Sequence, residues 1–323
     1  MRWVELKAEL VAIGSCRLTG VDASGYIESS SAGPGAGGTG SVFFSSGGKR
    51  VRLSVSLDSP VEIRHDGNGE AHLSFGRLEA TGILEKPGLH CPRQAYITVT
   101  GRCIFSCMYC PVPLNEGRIK TPEEIAGMIE SVRDRIDAVS ITSGVVGSIE
   151  EEEQRVIGVL KRIGKQDIPI GVSIYPGPHT PDRLYSEGVS EVKFNLEAAT
   201  PELFQERCPG LSWDGIIRSL DQSVTLFGRG NVFSNVILGL GETDEEMETC
   251  IRFLTERGVI PVIRPLTPAA AVASYRRPSA ERLLRIADIH YDALKKAGLD
   301  TTKARTMCTY CTGCDIVPGR DFE

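Results

Sequence analysis

The stretch Ala95-Tyr-Ile-Thr-Val-Thr-Gly101 leads, after one arginine, into Cys103-Ile-Phe-Ser-Cys107-Met-Tyr-Cys110. Its first half is apolar and rich in β-branched residues, which predicts a buried strand. The three cysteines that follow are separated by three and then by two residues, so their thiolates can surround one face of an iron–sulfur cube. Since a cube holds four irons, three ligands leave one iron open. An open metal position is typical of a catalytic site rather than a closed structural one.

This spacing, with Tyr109 directly before the third cysteine, resembles the signature of radical S-adenosylmethionine (SAM) enzymes. The resemblance implies a four-iron, four-sulfur cluster held by Cys103, Cys107 and Cys110, whose open iron chelates the amino and carboxylate groups of SAM. An electron from that cluster would cleave SAM to a 5′-deoxyadenosyl radical. The alternatives are a zinc knuckle or chance clustering. Four-ligand zinc sites usually show two Cys-x-x-Cys or Cys/His pairs, and no second pair lies nearby.

Strand and helix patterns alternate from residue 93 onward. Strands are predicted at 95–100, 138–142, 168–174, 191–196, 232–238 and 259–263. Helices are predicted near 121–134, 149–163, 180–187, 201–207, 213–226, 243–257 and 280–296. This alternation predicts an α/β fold with a parallel sheet and outer helices. Six units favour a partial (β/α)6 barrel, in which the chemistry lies at the carboxyl ends of the strands.

The first 90 residues differ from this pattern and predict a small β-rich N-terminal region. A short amphipathic start precedes a Gly/Ser-rich stretch at 29–48, and alternating strands follow at 50–57 and 78–84. We interpret the Gly-rich stretch as a flexible lid or docking loop, with Lys49, Arg50 and Arg52 nearby. A phosphate-binding loop is disfavoured because no helix follows the glycines. We therefore divide the chain into an N-terminal region (1–90), a partial barrel (91–300) and a cysteine-rich tail (301–323).

Composition is that of an ordinary soluble globular protein, with 41% hydrophobic and 24% charged residues. A net charge of −6 argues against nucleic-acid binding. No apolar signal region and no membrane-length apolar stretch are present. Six of the ten cysteines fall in two tight triplets, which favours metal ligation over disulfides and so predicts a reducing cytoplasm. An open iron is oxygen-sensitive, which predicts an anaerobic or protected setting.

The second triplet is Cys308-Thr-Tyr-Cys311-Thr-Gly-Cys314, on a tail that we expect to be irregular and to fold over the strand ends. An auxiliary iron–sulfur cluster is the leading interpretation, and structural zinc is the alternative. Its fourth ligand is left open between Cys91, Cys208 and a group that is not a cysteine. Its open or weakly held iron would be the one that meets the substrate. Two further cysteines, Cys16 and Cys250, are predicted to be small buried core residues.

Two further motifs resemble those of the biotin synthase and lipoyl synthase group. Asn195-Leu-Glu197 follows the fourth predicted strand, and Gly239-Leu-Gly241-Glu-Thr243 follows the fifth. The resemblance implies that Asn195 and Glu197 point toward the ribose and methionine groups of SAM. It also implies that the turn containing Gly239 and Gly241 lines the adenosine side.

Four more residues at predicted strand ends complete the candidate cofactor site. Ser143 and Gly144 stand where radical SAM proteins usually carry a Gly-Gly-Glu-like turn, whose backbone meets the SAM ammonium group. A glycine there allows a close backbone approach. Ser173 ends the third strand, and Arg264 ends the sixth, where its guanidinium suits a carboxylate of SAM or of the substrate.

Within that group, the C-terminal triplet and the extra N-terminal region are most similar to archaeal-type two-protein lipoyl synthases. The resemblance implies sulfur insertion at unactivated C–H bonds of a protein-bound octanoyl chain, a paralogous radical SAM partner, a lipoyl-carrier-type substrate protein, and an electron donor such as ferredoxin or flavodoxin. Biotin synthase is disfavoured because the predicted strands from 138 to 263 lack cysteine. The alternatives are a radical SAM enzyme for methylation, ring formation or metallocofactor maturation, and a non-enzymatic iron–sulfur carrier or scaffold.

Overall fold

The computed structural model describes residues 2–28, 40–114 and 116–322. The chain begins with helix α1 (Trp3–Ile13), which ends at Gly14 in a left-handed conformation with φ of 75°. Six strands then close into a small barrel, in the spatial order β1, β3, β2, β6, β5, β4. They are β1 (Ser15–Gly20), β2 (Ser41–Ser46), β3 (Lys49–Val55), β4 (Glu62–Gly67), β5 (Glu70–Phe75) and β6 (Leu78–Glu85). Strand β1 closes the barrel by pairing in parallel with both β3 and β4.

Strand β2 lies inside the stretch 29–48 that the sequence assigned to a Gly/Ser-rich loop. That assignment is wrong for its second half, because Phe43 and Phe44 are buried and pair with β3 and β6. The surrounding serines and glycines masked a short apolar run whose partners lie elsewhere in the barrel. Residues 29–39 of the predicted loop lie outside the described residues.

Seven further strands form a curved sheet in which chain order and spatial order coincide. They are β7 (His90–Cys91), β8 (Gln94–Thr98), β9 (Ala138–Thr142), β10 (Ile170–Ser173), β11 (Glu191–Lys193), β12 (Val232–Leu238) and β13 (Ile260–Pro265). Strands β8 to β13 are mutually parallel, and β7 pairs antiparallel with β8. The predicted α/β class with a partial (β/α)6 barrel is therefore confirmed, and β7 is an additional edge strand.

Helices connect the parallel strands and cover one face of the sheet. They are α2 (Pro122–Glu130), α3 (Ile149–Ile163), α4 (Thr180–Ser186), α5 (Pro201–Arg207), α6 (Trp213–Phe227), α7 (Asp244–Glu256) and α8 (Ala280–Ala297). Helices α2 and α7 start with the capping boxes that their sequences predict, at Thr121 and Thr243. Val139 and Ile141 belong to the main hydrophobic core together with residues of these helices. Ser140, between them, faces the opposite, concave side of the sheet.

The C-terminal tail lies on that concave side, at the end where the strands begin. Glu191, the first residue of β11, accepts hydrogen bonds from the backbone of Arg305 and Thr306. Gly171 of β10 makes room for the tail, since a Cβ there would lie 2.2 Å from the Thr306 hydroxyl. The sequence predicts a tail over the strand ends, and these contacts lie near the ends at which the strands begin. Gln94 and Glu191 are the first residues of β8 and β11, and Gly171 is the second residue of β10. The tail sequence by itself does not indicate these long-range contacts.

The tail is also held from the N-terminal side of the molecule. Its short helix α9 (Met307–Cys311) replaces the irregular segment expected there. The Lys7 ammonium group donates to the Thr312 carbonyl at 2.5 Å and to the Asp321 carboxylate at 2.7 Å. Helix α1 and the small barrel therefore clamp the cysteine-bearing tail against the half-barrel. Over the described ranges, no helix is both long enough and apolar enough to span a bilayer.

Candidate active site on the concave face of the half-barrel

The loop that carries Cys103, Cys107 and Cys110 lies directly after β8, at the carboxyl ends of the strands. It is fastened to other barrel connections, because the Met108 amide donates to the Arg207 carbonyl at 2.9 Å. The Met108 carbonyl in turn accepts from Ala271, beyond β13, at 2.9 Å. The first two cysteines are partly exposed and the third is buried. The fold thus presents the first triplet at the mouth of the half-barrel.

The turn at Ser143 and Gly144 supports this loop. A Cβ on Gly144 would lie 1.9 Å from the Arg102 carbonyl, so only glycine fits here. The backbone that approaches Gly144 closely therefore belongs to the loop that carries the first triplet. The Ser143 hydroxyl accepts from the Thr100 amide at 3.0 Å and donates to Glu152 at 2.6 Å. Its side chain is consequently engaged in bracing β8 against α3.

A hydrogen-bonded group of side chains links the first triplet to β11. The Tyr109 hydroxyl and the Asn195 amide both donate to the Glu197 carboxylate. The Cys208 thiol contacts the Tyr109 oxygen at 3.9 Å and also hydrogen-bonds Cys107. Burial raises the pKa of the Glu197 carboxyl, although the Asn195 contact opposes that shift. Sequence reasoning placed Tyr109, Asn195 and Glu197 in one site, and the structure brings these three side chains together.

The backbone at Glu197 is unusual for a residue with a side chain. Its φ is 63°, in the left-handed region that favours glycine. Its amide and carbonyl nevertheless continue the ladder to β12, through Asn235 and Ile237 at 2.8 Å each. Such strain persists where the surrounding structure holds it, and it occurs often at functional sites. Here the conformation places the carboxylate beside Tyr109.

The Gly239–Glu242 turn is braced from within. The Glu242 carboxylate accepts from the backbone amides of Gly239, Leu240 and Gly241 at 2.7, 2.9 and 3.2 Å. Arg282 of α8 pairs with the same carboxylate at 2.9 Å. Both glycines have positive φ values, 109° and 130°, which an L side chain rarely adopts. The turn is therefore rigid, and it ends β12 close to the cavity described next.

A cavity of about 540 Å³ lies between the strand ends and the small barrel. Of the nine predicted cofactor-contacting residues, three line this cavity: Tyr109, Glu197 and Arg264. The other six are not among its lining residues: Ser143, Gly144, Ser173, Asn195, Gly239 and Gly241. Two lining residues that the sequence did not single out are Thr98 and Asn235. Among the described residues, neither the Thr98 hydroxyl nor the Asn235 amide oxygen has a hydrogen-bond partner, although both atoms are buried.

Those two oxygens indicate a ligand, because buried polar atoms are nearly always paired. The sequence shows them only as polar residues among the apolar residues of β8 and β12. The cavity wall also carries basic groups and apolar groups. The basic residues are Arg52, Arg118, Lys120, Arg264 and Arg277. The apolar residues include Val11, Val112, Ile237 and Leu266.

The second triplet lies deeper on the same concave face. Cys308, Cys311 and Cys314 line a small cavity of about 20 Å³ together with Cys91 of β7. The Lys193 ammonium group donates to the Cys308 sulfur at 3.4 Å. Cys314 also lines the large cavity. The large cavity is therefore lined by Tyr109, which directly precedes Cys110 of the first triplet, and by Cys314 of the second triplet.

Arg264 belongs to this deeper region. It lies 3.8 Å from Asp315, and it lines both cavities together with Arg52. Burial opposes the charge of Arg264, but the nearby Cys314 and Cys308 sulfurs and Asp315 raise its pKa. Sequence reasoning assigned this guanidinium to a SAM or substrate carboxylate. The structure also places Arg264 close to the second triplet. No local sequence pattern indicates this proximity.

Other cysteines and histidines either lie away from the second triplet or line the small cavity beside it. Cys16 and Cys250 are buried in the main core, and Cys208 lies beside the first triplet. His90 lines the small cavity, and His179 is exposed at the start of α4. Within residues 2–28, 40–114 and 116–322, no three Cys, His, Asp or Glu side chains converge on one metal ion.

Comparison with known proteins identifies the fold family. Residues 97–254 match the sequence model of the radical SAM superfamily. The chain therefore contains a radical SAM domain. A lipoyl synthase from Picrophilus torridus is 26% identical over 210 residues, which cover 60% of this chain and 70% of that protein. The expected radical SAM membership and lipoyl synthase-like relationship are thus confirmed, and membership implies a four-iron, four-sulfur cluster and SAM.

Solved radical SAM structures share the fold. The FeFe-hydrogenase maturase HydG from Carboxydothermus hydrogenoformans aligns with a TM-score of 0.54 and 16% identity, over 62% of this chain. This chain spans about half of that maturase, 51% of its length. A radical SAM methyltransferase from Sphaerobacter thermophilus aligns with a TM-score of 0.54 and 17% identity, over 76% of each chain. At these identities the likeness shows the radical SAM fold alone.

Proposed function

We propose that this radical SAM enzyme inserts sulfur at unactivated C–H bonds, with a protein-bound octanoyl chain as the substrate. The observation that carries the proposal is the cavity of about 540 Å³, which is lined by Tyr109, directly before Cys110 of the first triplet, and by Cys314 of the second triplet. A substrate carbon in that cavity would lie between a site that generates a radical and a site that holds sulfide. The relationship to a lipoyl synthase, at 26% identity, supports this choice of reaction.

The residues at the first triplet fit a SAM-binding cluster. Cys103, Cys107 and Cys110 supply three thiolates, the set that leaves one iron open. The unpaired oxygens of Thr98 and Asn235 supply acceptors for the amino or hydroxyl groups of a polar ligand. When bound, the cluster and SAM would supply the carbon radical that no side chain can provide.

The chain's own residues then bind and orient both ligands. Glu197 is held by Tyr109 and Asn195, so its carboxylate cannot swing away from the cavity wall. Val112, Ile237 and Leu266 offer an apolar surface along which an acyl chain can lie. Arg52 and Ser54 of the small barrel line one side of this space.

The second triplet supplies the site for an auxiliary cluster in this proposal. Cys308, Cys311 and Cys314 are arranged around one small cavity, and Cys314 opens toward the large one. Lys193 and Arg264 provide positive charge beside the cysteines, as a thiolate-rich cluster requires. A paralogous radical SAM partner, a lipoyl-carrier-type protein and a ferredoxin or flavodoxin donor complete the proposed system.

A second candidate is a radical SAM enzyme with a different outcome on an anionic substrate. Five basic residues line the cavity, against one carboxylate, Glu197, among the described lining residues. Such a wall would attract a carboxylate or phosphate group. In that case the second cluster would anchor the substrate or relay electrons. An iron–sulfur carrier is disfavoured, since a carrier has no use for the buried unpaired oxygens of the cavity.

The test compares three anaerobically reconstituted proteins for SAM cleavage and for product. They are the unaltered chain, the variant Cys308→Ala/Cys311→Ala/Cys314→Ala, and Cys250→Ala as a buried-cysteine control. An octanoyl-lysine peptide, the paralogous partner and a chemical reductant are supplied. The tail variant should still form 5′-deoxyadenosine but no sulfur-containing peptide, whereas the control should match the unaltered chain. Sulfur insertion by the tail variant would overturn the proposal, and absence of sulfur insertion by the unaltered chain would favour the second candidate.

A further inference from the structure

We infer that Cys91 is the fourth ligand of the second cluster, which is then closed by four thiolates. The inference rests on the proposed function, because it assumes that the tail triplet holds a cluster. Cys91 comes from the β7–β8 hairpin, more than two hundred positions before Cys308 in the sequence. The site would therefore join two distant parts of the chain.

Placement distinguishes Cys91 from the other candidate ligand. Cys91 is 1% exposed, its thiol hydrogen-bonds that of Cys311, and it shares one cavity with all three tail cysteines. Cys208 instead hydrogen-bonds Cys107 in the first triplet. The structure thus gives the tail triplet one cysteine neighbour and leaves Cys208 at the other site.

A hydrogen-bond network fixes Cys91 relative to the tail. The Gln94 side-chain amide donates to the Cys91 sulfur at 3.1 Å. Its carbonyl oxygen accepts from the Met307 backbone amide at 2.6 Å and from the Ser140 hydroxyl at 2.6 Å. One buried glutamine therefore positions both the hairpin cysteine and the start of α9. N–H groups that donate to sulfur also tune iron–sulfur clusters.

The charges around the four cysteines suit a fully thiolate-ligated cluster, which carries net negative charge. Lys193 lies 3.4 Å from the Cys308 sulfur, and Arg50 donates to the Cys311 carbonyl at 3.2 Å. Arg52 and Arg264 line the same small cavity. Arg50 also pairs with Glu85, and Arg264 lies 3.8 Å from Asp315. The basic groups nevertheless place positive charge beside the four sulfurs, where it would stabilise an anionic cluster.

Four-cysteine closure has a consequence for the chemistry. The second cluster would have no open iron, in contrast to the open iron that the sequence led us to expect. Substrate would then meet this cluster at its Cys314 side, the part that faces the large cavity. SAM would bind at the first triplet only.

The experiment removes the first cluster so that the second can be observed alone. Variants are made in a Cys103→Ala/Cys107→Ala/Cys110→Ala background and reconstituted anaerobically with iron and sulfide. They are Cys91→Ala, Cys91→Ser, Cys208→Ala and Cys16→Ala. The measurements are iron and acid-labile sulfide per chain and the electron paramagnetic resonance spectrum after reduction. Circular dichroism of each apo protein reports on folding.

The parent background should hold about four irons per chain, the content of one cube. Cys91→Ala should fall to about three irons or fewer, and Cys91→Ser should keep iron with an altered spectrum. Cys208→Ala and Cys16→Ala should match the parent. A Cys91→Ala protein with the iron content and spectrum of the parent would overturn the inference alone.

Two further outcomes are also decisive. If Cys91→Ala fails to fold, Cys91→Ser is used to decide. An unchanged electron paramagnetic resonance spectrum in that variant overturns the inference. If the parent background binds no iron, the auxiliary cluster itself is refuted, and the proposed function and this inference fall together.

Discussion

Replacing Lys7 by methionine tests the clamp that holds the cysteine-bearing tail. Lys7 and Asp321 form an ion pair at 2.7 Å with side chains 0% and 1% exposed. Methionine keeps the apolar stem but removes the charge, and leaves the Asp321 carboxylate and the Thr312 carbonyl without this donor. Breaking a buried pair in this way costs about 3–5 kcal/mol. Asp321 retains bonds from the Trp3 ring and the Val317 amide, so we expect a cost of about 3 kcal/mol.

The assay is urea unfolding of the apo protein, followed by tryptophan fluorescence. The chain has two tryptophans, so a Trp213→Phe background leaves Trp3, which lies against the clamp, as the reporter. Lys303→Met is the matched control, because its pair with Asp300 is exposed and spans 3.9 Å. Such surface pairs contribute little, and the control midpoint should not move. A Lys7→Met midpoint equal to that of the control would refute the clamp.

Three further predictions concern other parts of the molecule. Burial lowers the pKa of His290 to about 3, so the unfolded chain, with its usual value of about 6.5, binds more protons between these pH values. Stability should fall by about 1.4 kcal/mol from about pH 7.5 to about pH 5.5, and His290→Leu should abolish this loss in urea titrations. Asn235→Ala and Thr98→Val should each weaken SAM binding by roughly tenfold, by the loss of one buried hydrogen bond, as isothermal titration would show; unchanged affinity in both would remove them from the site. Alanine at Asn195 or Glu197 should weaken SAM binding with an unaltered cluster spectrum, and unchanged affinity would leave both residues a structural role.

Local signals account for what the sequence predicted well. The strand at Gln94–Thr98 and the helix at Ile149–Ile163 arise from apolar periodicity and capping, which act within one element. Asn195, Glu197 and Tyr109, which the family resemblance assigns to the cofactor site, lie together in the structure. These features depend on short stretches of sequence, so local patterns are enough to predict them.

Long-range placement accounts for what the sequence did not predict. Gln94 contacts Met307 across 213 positions, and that contact decides where the tail lies. The two-residue strand at His90–Cys91 is too short to show a periodic pattern. The buried oxygens of Thr98 and Asn235 lack hydrogen-bond partners, and this becomes visible only when the neighbouring strands are placed side by side. Such information resides in sheet register and packing, which a single sequence leaves open.

Counting iron, acid-labile sulfide and zinc per chain tests the central claim, that the two triplets hold two clusters beside one cavity. The anaerobically reconstituted chain should hold about eight irons, and either triple-alanine variant, at Cys103/Cys107/Cys110 or at Cys308/Cys311/Cys314, about four. Only the first variant should lose 5′-deoxyadenosine formation. Full iron content in the tail variant, zinc in the unaltered chain, or SAM cleavage that survives in the first variant would contradict the account.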